Sequence, residues 1–460
     1  MRADTADTNE RGLAPRDAWL LLGTLGLVVL VSVPLLGAEP WPFRPDRVDP
    51  TGPFAAFVRA TDGEWDTEAL RAPGLLAGVL VALAAAAVPL RAAWPRWAAV
   101  ALTAIVVCLL AVPAVVLQAG LRQSTEPWFH TNDSTFQIEL AGELLRNGEN
   151  PYGHDYSQSG MERFYSLDGS ATDETREEQV ALRHFAYFPG TVLTAAVWTL
   201  LPEPFSDYRF FVLLATLAGL AVALAFPGPL AWRLAGGALI AASPLALRAA
   251  WFGTADAPSL ALTVLAFALV ARRRFLWAAA ALGGAVLLKQ FALVALPFLA
   301  LWAWRQAGRR EALRAGGVFA AVVAVGVLPF AIWDPGALWA DTIEYGGSTY
   351  RIVGYGLSGL LLEAGLLESR TGGYPFLLLL ALVWLPVTAW LLWTWRRAEE
   401  LWPAAVGFAV SMFLLVFLAR VFHGSYLVWP LAGIVVAALL AAPQRVPSAR
   451  SHVPGMPPRT

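Results

Sequence analysis

Residues that could carry out chemistry concentrate in one polar stretch, residues 126–185, which lies between apolar runs of membrane length. The stretch holds twelve acidic residues against four basic ones, in a chain whose formal net charge is −1. A carboxylate beside a membrane can accept a proton from a hydroxyl group at the surface. We therefore expect any reaction of this chain to take place here.

Asp133 is the acidic residue best placed for such a step. It follows His130-Thr-Asn just after an apolar run, and the pattern of apolar residues from Phe136 to Leu145 predicts a partly amphipathic helix after it. Two interpretations stay open. Asp133 caps that helix near its positive end, or it acts as a general base for a hydroxyl at the membrane boundary.

Two further motifs follow in the same stretch, Gly148-Glu-Asn150-Pro-Tyr152 and His184-Phe-Ala-Tyr187-Phe-Pro189. Asn-Pro and Gly are typical of turns, and Tyr and His are common where a helix meets the membrane surface. Substrate contacts are the alternative interpretation, and neither motif is specific alone. His154 has no second ligand at helical spacing, so no metal site is predicted.

Lys289 is the only lysine of the chain and lies within an apolar run. A lysine at mid-membrane costs roughly 2.5–3.5 kcal/mol on insertion scales, so such residues face a partner or a cavity. Lys289 either extends to the membrane surface or contacts a phosphate group. Arginine binds phosphate through two parallel hydrogen bonds, which makes Arg248, Arg351 and Arg420 rivals for that contact.

Two other polar residues lie at the ends of apolar runs. His423 stands beside Tyr426 at such a junction, where it is either an ordinary interfacial histidine or a contact for a substrate. Asp256 is either a second polar group of the site or a cap for the helix that starts at Ala257.

The elements that must position these residues are membrane helices. The chain of 460 residues is 57% apolar and 15% charged, with a mean hydropathy of +0.57, whereas soluble domains are about half apolar and a quarter charged. Backbone amides in lipid must be satisfied internally, which requires helices. We predict an all-α polytopic membrane protein with about 12–13 membrane segments. The candidate segments are 18–36, 74–93, 97–120, 187–202, 209–226, 234–250, 256–271, 275–288, 290–304, 313–332, 375–395, 401–421 and 426–442. The single cysteine, Cys108, excludes an intrachain disulfide and a cysteine-based metal site.

The arginine clusters predict which loops share a side, because basic residues collect on the cytoplasmic side of membrane proteins. They place the tails 1–17 and 443–460 inside and the loops 37–72, 121–186 and 333–374 outside. These loops divide the membrane part into N-terminal spans 18–120, a central module 187–332 and C-terminal spans 375–442. An even number of segments then separates residue 185 from the inside Arg272, where an odd number is needed. One of 187–202, 234–250 or their neighbours is expected not to cross, and 275–304 could be two short helices that dip in and return.

The order of the motifs resembles that of the GT-C class of membrane glycosyltransferases, which use polyprenyl-phosphate sugars. The resemblance is greatest to glycosyltransferase family 87, which includes actinobacterial mannosyltransferases, and it covers roughly residues 115–442. The motifs that carry it are Asp133 after an early span, Gly148-Glu-Asn-Pro-Tyr152, Tyr187-Phe-Pro189, Ser243-Pro244, Gly253-Thr-Ala-Asp256, Arg272–Arg274, Leu288-Lys289-Gln290, Pro297 and Arg420-Val-Phe-His423-Gly-Ser-Tyr426.

The resemblance implies an integral membrane glycosyltransferase of the bacterial plasma membrane, with its site on the outer face. Such an enzyme moves a sugar, with mannose favoured, from a polyprenyl-phosphate donor to a glycan or glycolipid, inverting the anomeric carbon. Asp133 would be the catalytic base. Lys289, His423, Arg420 and Tyr426 would bind the donor, and Asn150, Tyr152, His184, Tyr187 and Asp256 the substrate. No cofactor, metal or nucleic acid is expected, and the bilayer is a partner. A transporter or lipid-linked-sugar flippase, and a non-enzymatic assembly factor, remain alternatives.

Overall fold

A computed structural model describes residues 12–36, 50–60, 70–88, 93–124, 133–161, 182–251 and 253–442. His130, most of the acidic insert and the tails predicted for 1–17 and 443–460 fall wholly or largely outside these ranges. The helices are α1 Pro15–Ser32, α2 Ala55–Ala60, α3 Arg71–Ala87, α4 Arg96–Gln123, α5 Asp133–Arg146, α6 Pro189–Trp198, α7 Tyr208–Ala223, α8 Leu230–Ala242, α9 Pro244–Trp251, α10 Asp256–Ala271, α11 Phe275–Leu288, α12 Leu296–Trp333, α13 Pro335–Trp339, α14 Leu357–Glu363, α15 Phe376–Leu379, α16 Leu385–Trp395, α17 Trp402–Leu418 and α18 Val428–Ala441.

The rest of the described chain adds short elements to these helices. The 3₁₀ segments Gln290–Ala295 and Gly424–Leu427 lead into α12 and α18, and the π-helical segments Ala340–Thr349 and Leu380–Trp384 follow α13 and α15. Strand β1 Gly12–Leu13 pairs antiparallel with β2 Trp94–Pro95, and β3 Val353–Gly354 pairs parallel with β4 Val421–Phe422. The predicted all-α class is therefore confirmed.

Each of the thirteen candidate segments coincides with a helix of the described chain. Within the residues that the structure describes, five helical stretches are long and apolar enough to cross a membrane, or six when the α8–α9 pair, bent by 41°, is taken as one span. These five are Pro15–Leu35, Arg96–Gln123, Gln290–Trp333, Phe376–Trp395 and Gly424–Ala441. The remaining apolar helices are shorter, such as Phe275–Leu288 and Trp402–Leu418. The strict count is thus lower than the 12–13 predicted from apolar runs.

The stretch Gln290–Trp333 holds two segments rather than one. At 44 residues it is about twice the length that crosses a bilayer. Its helix breaks at Gly308, where φ is +80°, a conformation that glycine adopts without a steric penalty. Arg309 and Arg310 follow the break. The structure thus agrees with the two segments predicted at 290–304 and 313–332.

The arginine clusters lie together at one end of the helix bundle. Arg273 donates a hydrogen bond to Gln306 at 3.0 Å, and Arg305 donates one to the carbonyl of Ala398 at 2.7 Å. Arg272 donates to the carbonyl of Ala225 in the α7–α8 turn. We call this end, with Arg96, Arg233, Arg272–Arg274, Arg305 and Arg396, the arginine-rich end. The opposite end is called the site end.

Helix α6 begins and finishes at the site end. Thr191, in its first turn, donates a hydrogen bond to the carbonyl of Leu288 at 2.7 Å, and Trp198, at its end, donates to the carbonyl of Asp207 at 3.1 Å. Leu288 ends α11 and Asp207 starts α7, both at the site end. Ten helical residues rise only about 15 Å, half of the hydrocarbon thickness. Helix α6 is therefore the segment that does not cross, which leaves α7, the α8–α9 pair and α10 as the odd number required.

A buried network of charges holds α5 against this end. The carboxylate of Glu139 on α5 accepts hydrogen bonds from Arg122 of α4 at 2.8 Å and from the amide of Tyr208 at 2.8 Å. Arg209 pairs with Asp207 at 2.5 Å and donates to Gln118 of α4 at 2.9 Å. Sequence analysis did not single out this network. Removal of one partner from a buried ion pair costs about 3–5 kcal/mol, so the network fixes the helix that carries Asp133.

Candidate active site

Asp133 is the first residue of α5, and a close backbone approach brings it near Asp256. Thr135, one half-turn further, donates a hydrogen bond to the carbonyl of Gly253 at 3.3 Å. A Cβ at Gly253 would lie 2.5 Å from the Thr135 hydroxyl, and its φ is +63°. Only glycine fits both demands. The Gly253-Thr-Ala-Asp256 motif thus docks the start of α10 against the start of α5.

Lys289 has a partner within the chain, which neither interpretation of the sequence included. Its Nζ lies 2.7 Å from Oδ1 of Asp256, which is 0% exposed. The same oxygen accepts a hydrogen bond from the indole of Trp429 at 2.7 Å, and Oδ2 accepts one from Thr254 at 2.7 Å. No sequence pattern predicted this pair, since 33 residues separate its members. A lipid-borne anion is therefore not required to balance the charge of Lys289.

Aromatic rings surround the Lys289–Asp256 pair. The ammonium lies 4.9 Å from the centre of the Phe291 ring and 4.8 Å from that of Tyr426. The ring of Tyr426 also meets His423 edge to face at 5.4 Å. A cation close to a ring face is stabilised by the ring quadrupole, more so where water is excluded. The rings therefore shield the pair from water, and Tyr426 contacts both Lys289 and His423.

His423 connects this pair to Asp133. Desolvation by the surrounding protein lowers the pKa of the His423 imidazole below its ordinary value of 6.5, although the residue is itself exposed to solvent. The charges of Asp133 and Asp256 act against that shift, and those of Lys289 and Arg248 act with it. All four charged groups therefore act on His423 electrostatically.

Tyr187 belongs to the same site. Burial raises the pKa of its phenol, and Asp133 and Asp256 raise it further. Asp133, Tyr187, Asp256, Lys289 and His423 form one group of side chains at the site end, which we call the polar cluster. Of the sequence-predicted site residues, Asp133, Tyr187, Asp256, Lys289 and His423 are in it, and His184 lies beside it.

His184 forms a separate pair with Asp341, a residue that the sequence did not single out. Nδ1 of His184 lies 2.7 Å from Oδ1 of Asp341, and the other carboxylate oxygen accepts from the amide of Gly153 at 2.9 Å. The imidazole stacks on Tyr345 at 4.6 Å between ring centres. Burial raises the pKa of Tyr345, and Asp133 adds to that shift. The His184–Asp341 pair therefore borders the polar cluster through Tyr345.

Comparison with known proteins decides the family. Residues 185–420 match the profile described as Glycosyltransferase family 87, which is just over half of the chain. The chain belongs to glycosyltransferase family 87. The resemblance drawn from the motif order is thereby confirmed, and its apolar helices make the chain a multi-pass membrane protein of that family. The matched residues include Tyr187, Asp256 and Lys289 but not Asp133 or His423.

One solved structure is also similar to this family 87 chain, the crystal structure of ArnT from Cupriavidus metallidurans bound to undecaprenyl phosphate. The two share 19% sequence identity with a TM-score of 0.39, over 66% of this chain and 54% of ArnT. The chain thus spans about half the length of the ArnT chain that it matches. Among curated proteins, none matches the chain significantly.

Asn150 and Tyr152 shape the loop of this family 87 chain that follows α5. The side-chain oxygen of Asn150 accepts from the amide of Tyr152 at 3.1 Å, as in an Asx turn. The phenol of Tyr152 donates to the carbonyl of Tyr187 at 2.9 Å, and its ring meets Phe185 and Phe330 edge to face. These contacts hold the loop in shape. Among the described contacts, the hydrogen bond to the backbone of Tyr187 is the link between this loop and the polar cluster.

The three arginine rivals have different positions. The guanidinium of Arg420 donates to the carbonyls of Tyr350, Gly372 and Arg370, at 2.7, 3.1 and 3.4 Å. These hydrogen bonds bind the loop after α13 to the end of α17. We therefore assign Arg420 a structural role rather than a contact with the donor. Arg248 packs against Gly424, next to His423. Arg351 is half-buried beside Tyr350.

The described residues contain no candidate metal site. Among them, no group of three or more His, Cys, Asp or Glu side chains is placed to hold a metal ion. His154 packs edge to face against Tyr156 at 5.0 Å, and the single cysteine, Cys108, is exposed.

Proposed function

We propose that this chain transfers a sugar, most simply mannose, from a polyprenyl-phosphate donor to a hydroxyl of a glycan or glycolipid acceptor, with inversion. Membership of family 87 supports the reaction class. The observation that carries the assignment to a site is that Asp133 starts α5 within electrostatic reach of His423, which also faces Lys289 and Arg248. A base and several cations for a leaving phosphate are thus grouped at one end of the bundle.

In the proposed step, Asp133 takes the proton of the acceptor hydroxyl as its oxygen attacks the anomeric carbon. The bond between that carbon and the phosphate oxygen breaks, and the polyprenyl phosphate leaves with the electron pair. A single displacement from the opposite face inverts the configuration. Loss of a general base typically lowers a rate by about 10²–10⁴, which sets the scale for Asp133.

The leaving phosphate needs positive partners, and the cluster offers them. A lysine ammonium has three donors, so the pairing of Lys289 with Asp256 leaves it able to donate to a phosphate as well. Arg248 lies across His423 from it. We propose that Lys289, Arg248 and His423 together bind the donor phosphate, with Tyr426 packing against the sugar or the lipid. His184 and Tyr187 would face the acceptor.

The proposed site faces the outside of the cell. The arginine-rich end takes the cytoplasmic side by the positive-inside rule, and Asp133, Asp256 and His423 lie at the opposite end. A polyprenyl-phosphate donor would then reach the cluster from the surrounding bilayer, and the acceptor from the aqueous side.

Transport or lipid flipping fits the distribution of charge less well. A transporter is expected to carry charged residues along a path through the membrane. In the described ranges the buried charged residues all lie at the site end: Arg122, Glu139, Asp207, Arg209, Asp256, Lys289, Asp341 and Arg420. Grouping at one end suits a reaction at one surface.

Replacing Asp133 by Asn tests the proposal. Transfer of radiolabelled mannose from a polyprenyl-phosphate donor to membrane acceptors should fall by about 10²–10⁴ in Asp133→Asn, with unchanged circular dichroism. The matched control is Asp334→Asn, because Asp334 is an exposed carboxylate that also starts a helix, α13, accepting from the amide of Ala337 at 2.9 Å. Equal loss in both variants would show that Asp133 acts only as a helix cap. Near wild-type transfer by Asp133→Asn would reject the assignment.

A further inference from the structure

A cavity of about 370 Å³ lies at the arginine-rich end, opposite the polar cluster. The pairing of β1 with β2 brings the residues before α1 next to the start of α4, and α8 begins beside them. Its lining includes Gly12, Asp17, Arg96, Gly228, Leu230 and Arg233. The volume falls within the roughly 300–1,000 Å³ of ligand sites. Nothing in the proposed sugar transfer uses this cavity.

Positive charge dominates the lining. Arg96 and Arg233 contribute two guanidinium groups, against the one carboxylate of Asp17. Arg233 lies within electrostatic reach of both Arg96 and Arg272, which repel it. Like charges so grouped are destabilising unless an anion lies between them.

Arg233 also has an unused donor. Its Nη1 donates to the carbonyl of Leu224 at 2.8 Å, which holds the guanidinium in place. Its Nε is buried and, within the described ranges, has no hydrogen-bond partner. A buried donor without a partner costs about 1–3 kcal/mol, so the guanidinium of Arg233 is incompletely paired where the residue lines the cavity.

Two helices start at the cavity without a side-chain cap. Helix α4 begins at Arg96 after Pro95, and α8 begins at Leu230 after Pro229, and neither proline offers a side-chain hydrogen bond. The first amides of a helix lack intrahelical partners and favour anions. These starts add to the arginines as a second, independent source of anion affinity.

We propose that this cavity binds a phosphate group through Arg96 and Arg233, at the end of the bundle opposite the polar cluster. The phosphate would belong either to the headgroup of an anionic lipid or to a free phosphate ion, since both present the same oxygens. The proposal is independent of the sugar-transfer reaction.

Two binding measurements on the purified, delipidated full chain separate the sources. In the first, the Tm is followed as sodium phosphate replaces sodium chloride at constant ionic strength. In the second, native mass spectrometry compares retention of phosphatidylglycerol with that of phosphatidylcholine. The variants are Arg96→Gln, Arg233→Gln and Asp17→Asn. Arg397→Gln is the matched control, because Arg397 is an exposed arginine of the same end that does not line the cavity.

We expect wild type to bind at least one of the two probes, and Arg96→Gln and Arg233→Gln to weaken that binding about tenfold each, as for the loss of a charge-assisted hydrogen bond. Asp17→Asn should tighten it, because a repelling carboxylate is removed, and a gain of binding cannot come from misfolding. Binding of phosphate alone assigns a free ion, and selective retention of phosphatidylglycerol assigns a lipid. Failure of wild type to bind either probe, or arginine variants equal to Arg397→Gln, would overturn the proposal.

Discussion

We predict that Lys289 and Asp256 are strongly coupled in their contribution to the free energy of unfolding. Removing both charges separates an effect on stability from an effect on donor binding. Lys289→Met leaves the fully buried Asp256 carboxylate with hydrogen bonds from Trp429 and Thr254 only. Breaking a buried pair on one side costs about 3–5 kcal/mol. Hydrogen bonds to charged groups are worth about 1.5–3 kcal/mol each. Because Asp256 keeps two of them, the expected loss of stability is about 3 kcal/mol, at the low end of the range for breaking a buried pair.

Asp256→Asn leaves the ammonium in a similar position. It retains the rings of Phe291 and Tyr426 at 4.9 and 4.8 Å, which contribute about 2 kcal/mol when water is excluded. We expect a loss of about 2–3 kcal/mol. The double variant removes both charges together and should lose much less than the sum, with a coupling energy of about 2 kcal/mol or more.

The free energy of unfolding can be measured by titration of SDS into mixed micelles, followed by far-ultraviolet circular dichroism. The control is Arg314→Met, which removes an exposed pair with Glu311 at 3.6 Å and should change stability by less than about 1 kcal/mol. A coupling energy below about 0.5 kcal/mol would refute the buried pair. Because the double variant should stay folded, comparing its Michaelis constant for the donor with that of Asp256→Asn isolates the contribution of Lys289. An unchanged constant would remove Lys289 from the donor site.

Three further predictions follow from the described geometry. In a Cys108→Ser background, Asp155→Cys and Glu368→Cys should label from the same side of the membrane and Arg397→Cys from the other, because Asp155 and Glu368 lie in loops at the site end; labelling of Asp155→Cys and Glu368→Cys from different sides would reject the two-ended arrangement. The surrounding protein lowers the pKa of His423 below 6.5; Lys289 and Arg248 add to this shift, and Asp133 and Asp256 oppose it. As the pH falls, the unfolded chain therefore binds a proton at His423 before the folded chain does. Stability should be complete above pH 6.5 and fall as the pH drops through the lowered value, and His423→Gln should abolish that part of the pH dependence of unfolding. Asp341→Asn weakens the hold on the His184 ring, so the Michaelis constant for the acceptor should rise about tenfold or more at an unchanged donor constant, whereas Asp155→Asn, an exposed loop carboxylate, should alter neither.

Sequence patterns predicted the helices well because lipid leaves the backbone few choices. Apolar runs bounded by arginines marked every helix from α7 to α12, and Arg309 and Arg310 even marked the break at Gly308. Sequence patterns offered α6 both as a candidate segment and as one of those expected not to cross, because hydropathy alone does not measure helix length. Its ten helical residues begin at Pro189 and end where the chain turns towards Asp207. Only their contacts showed that both ends lie at one end of the bundle.

Sequence patterns could not predict contacts between residues that are distant in the sequence. Asp256 and Lys289 each stood out as isolated polar groups, and both were assigned to ligands, because no periodicity links residues on different helices. Asp341 lies 157 residues from His184 in a loop with no motif around it. The one usable signal was Gly253-Thr-Ala-Asp256, whose glycine is required by the approach of Thr135. Had that glycine been taken as a packing point between two polar segments, the proximity of Asp133 to Asp256 would have followed.

The pairing of Lys289 changes how a donor phosphate would be recognised. An unpaired lysine would attract any anion in the bilayer, including ordinary phospholipids, whereas Lys289 is already neutralised by Asp256 and enclosed by Phe291 and Tyr426. Only a phosphate that also satisfies Arg248 and His423 would then gain enough to bind. Selectivity for a lipid-linked sugar over bulk anionic lipid would thus come from several modest contacts rather than one strong charge. Asp256→Asn should therefore raise the affinity of the site for phosphatidylglycerol, and an inhibition assay with vesicles of that lipid measures it.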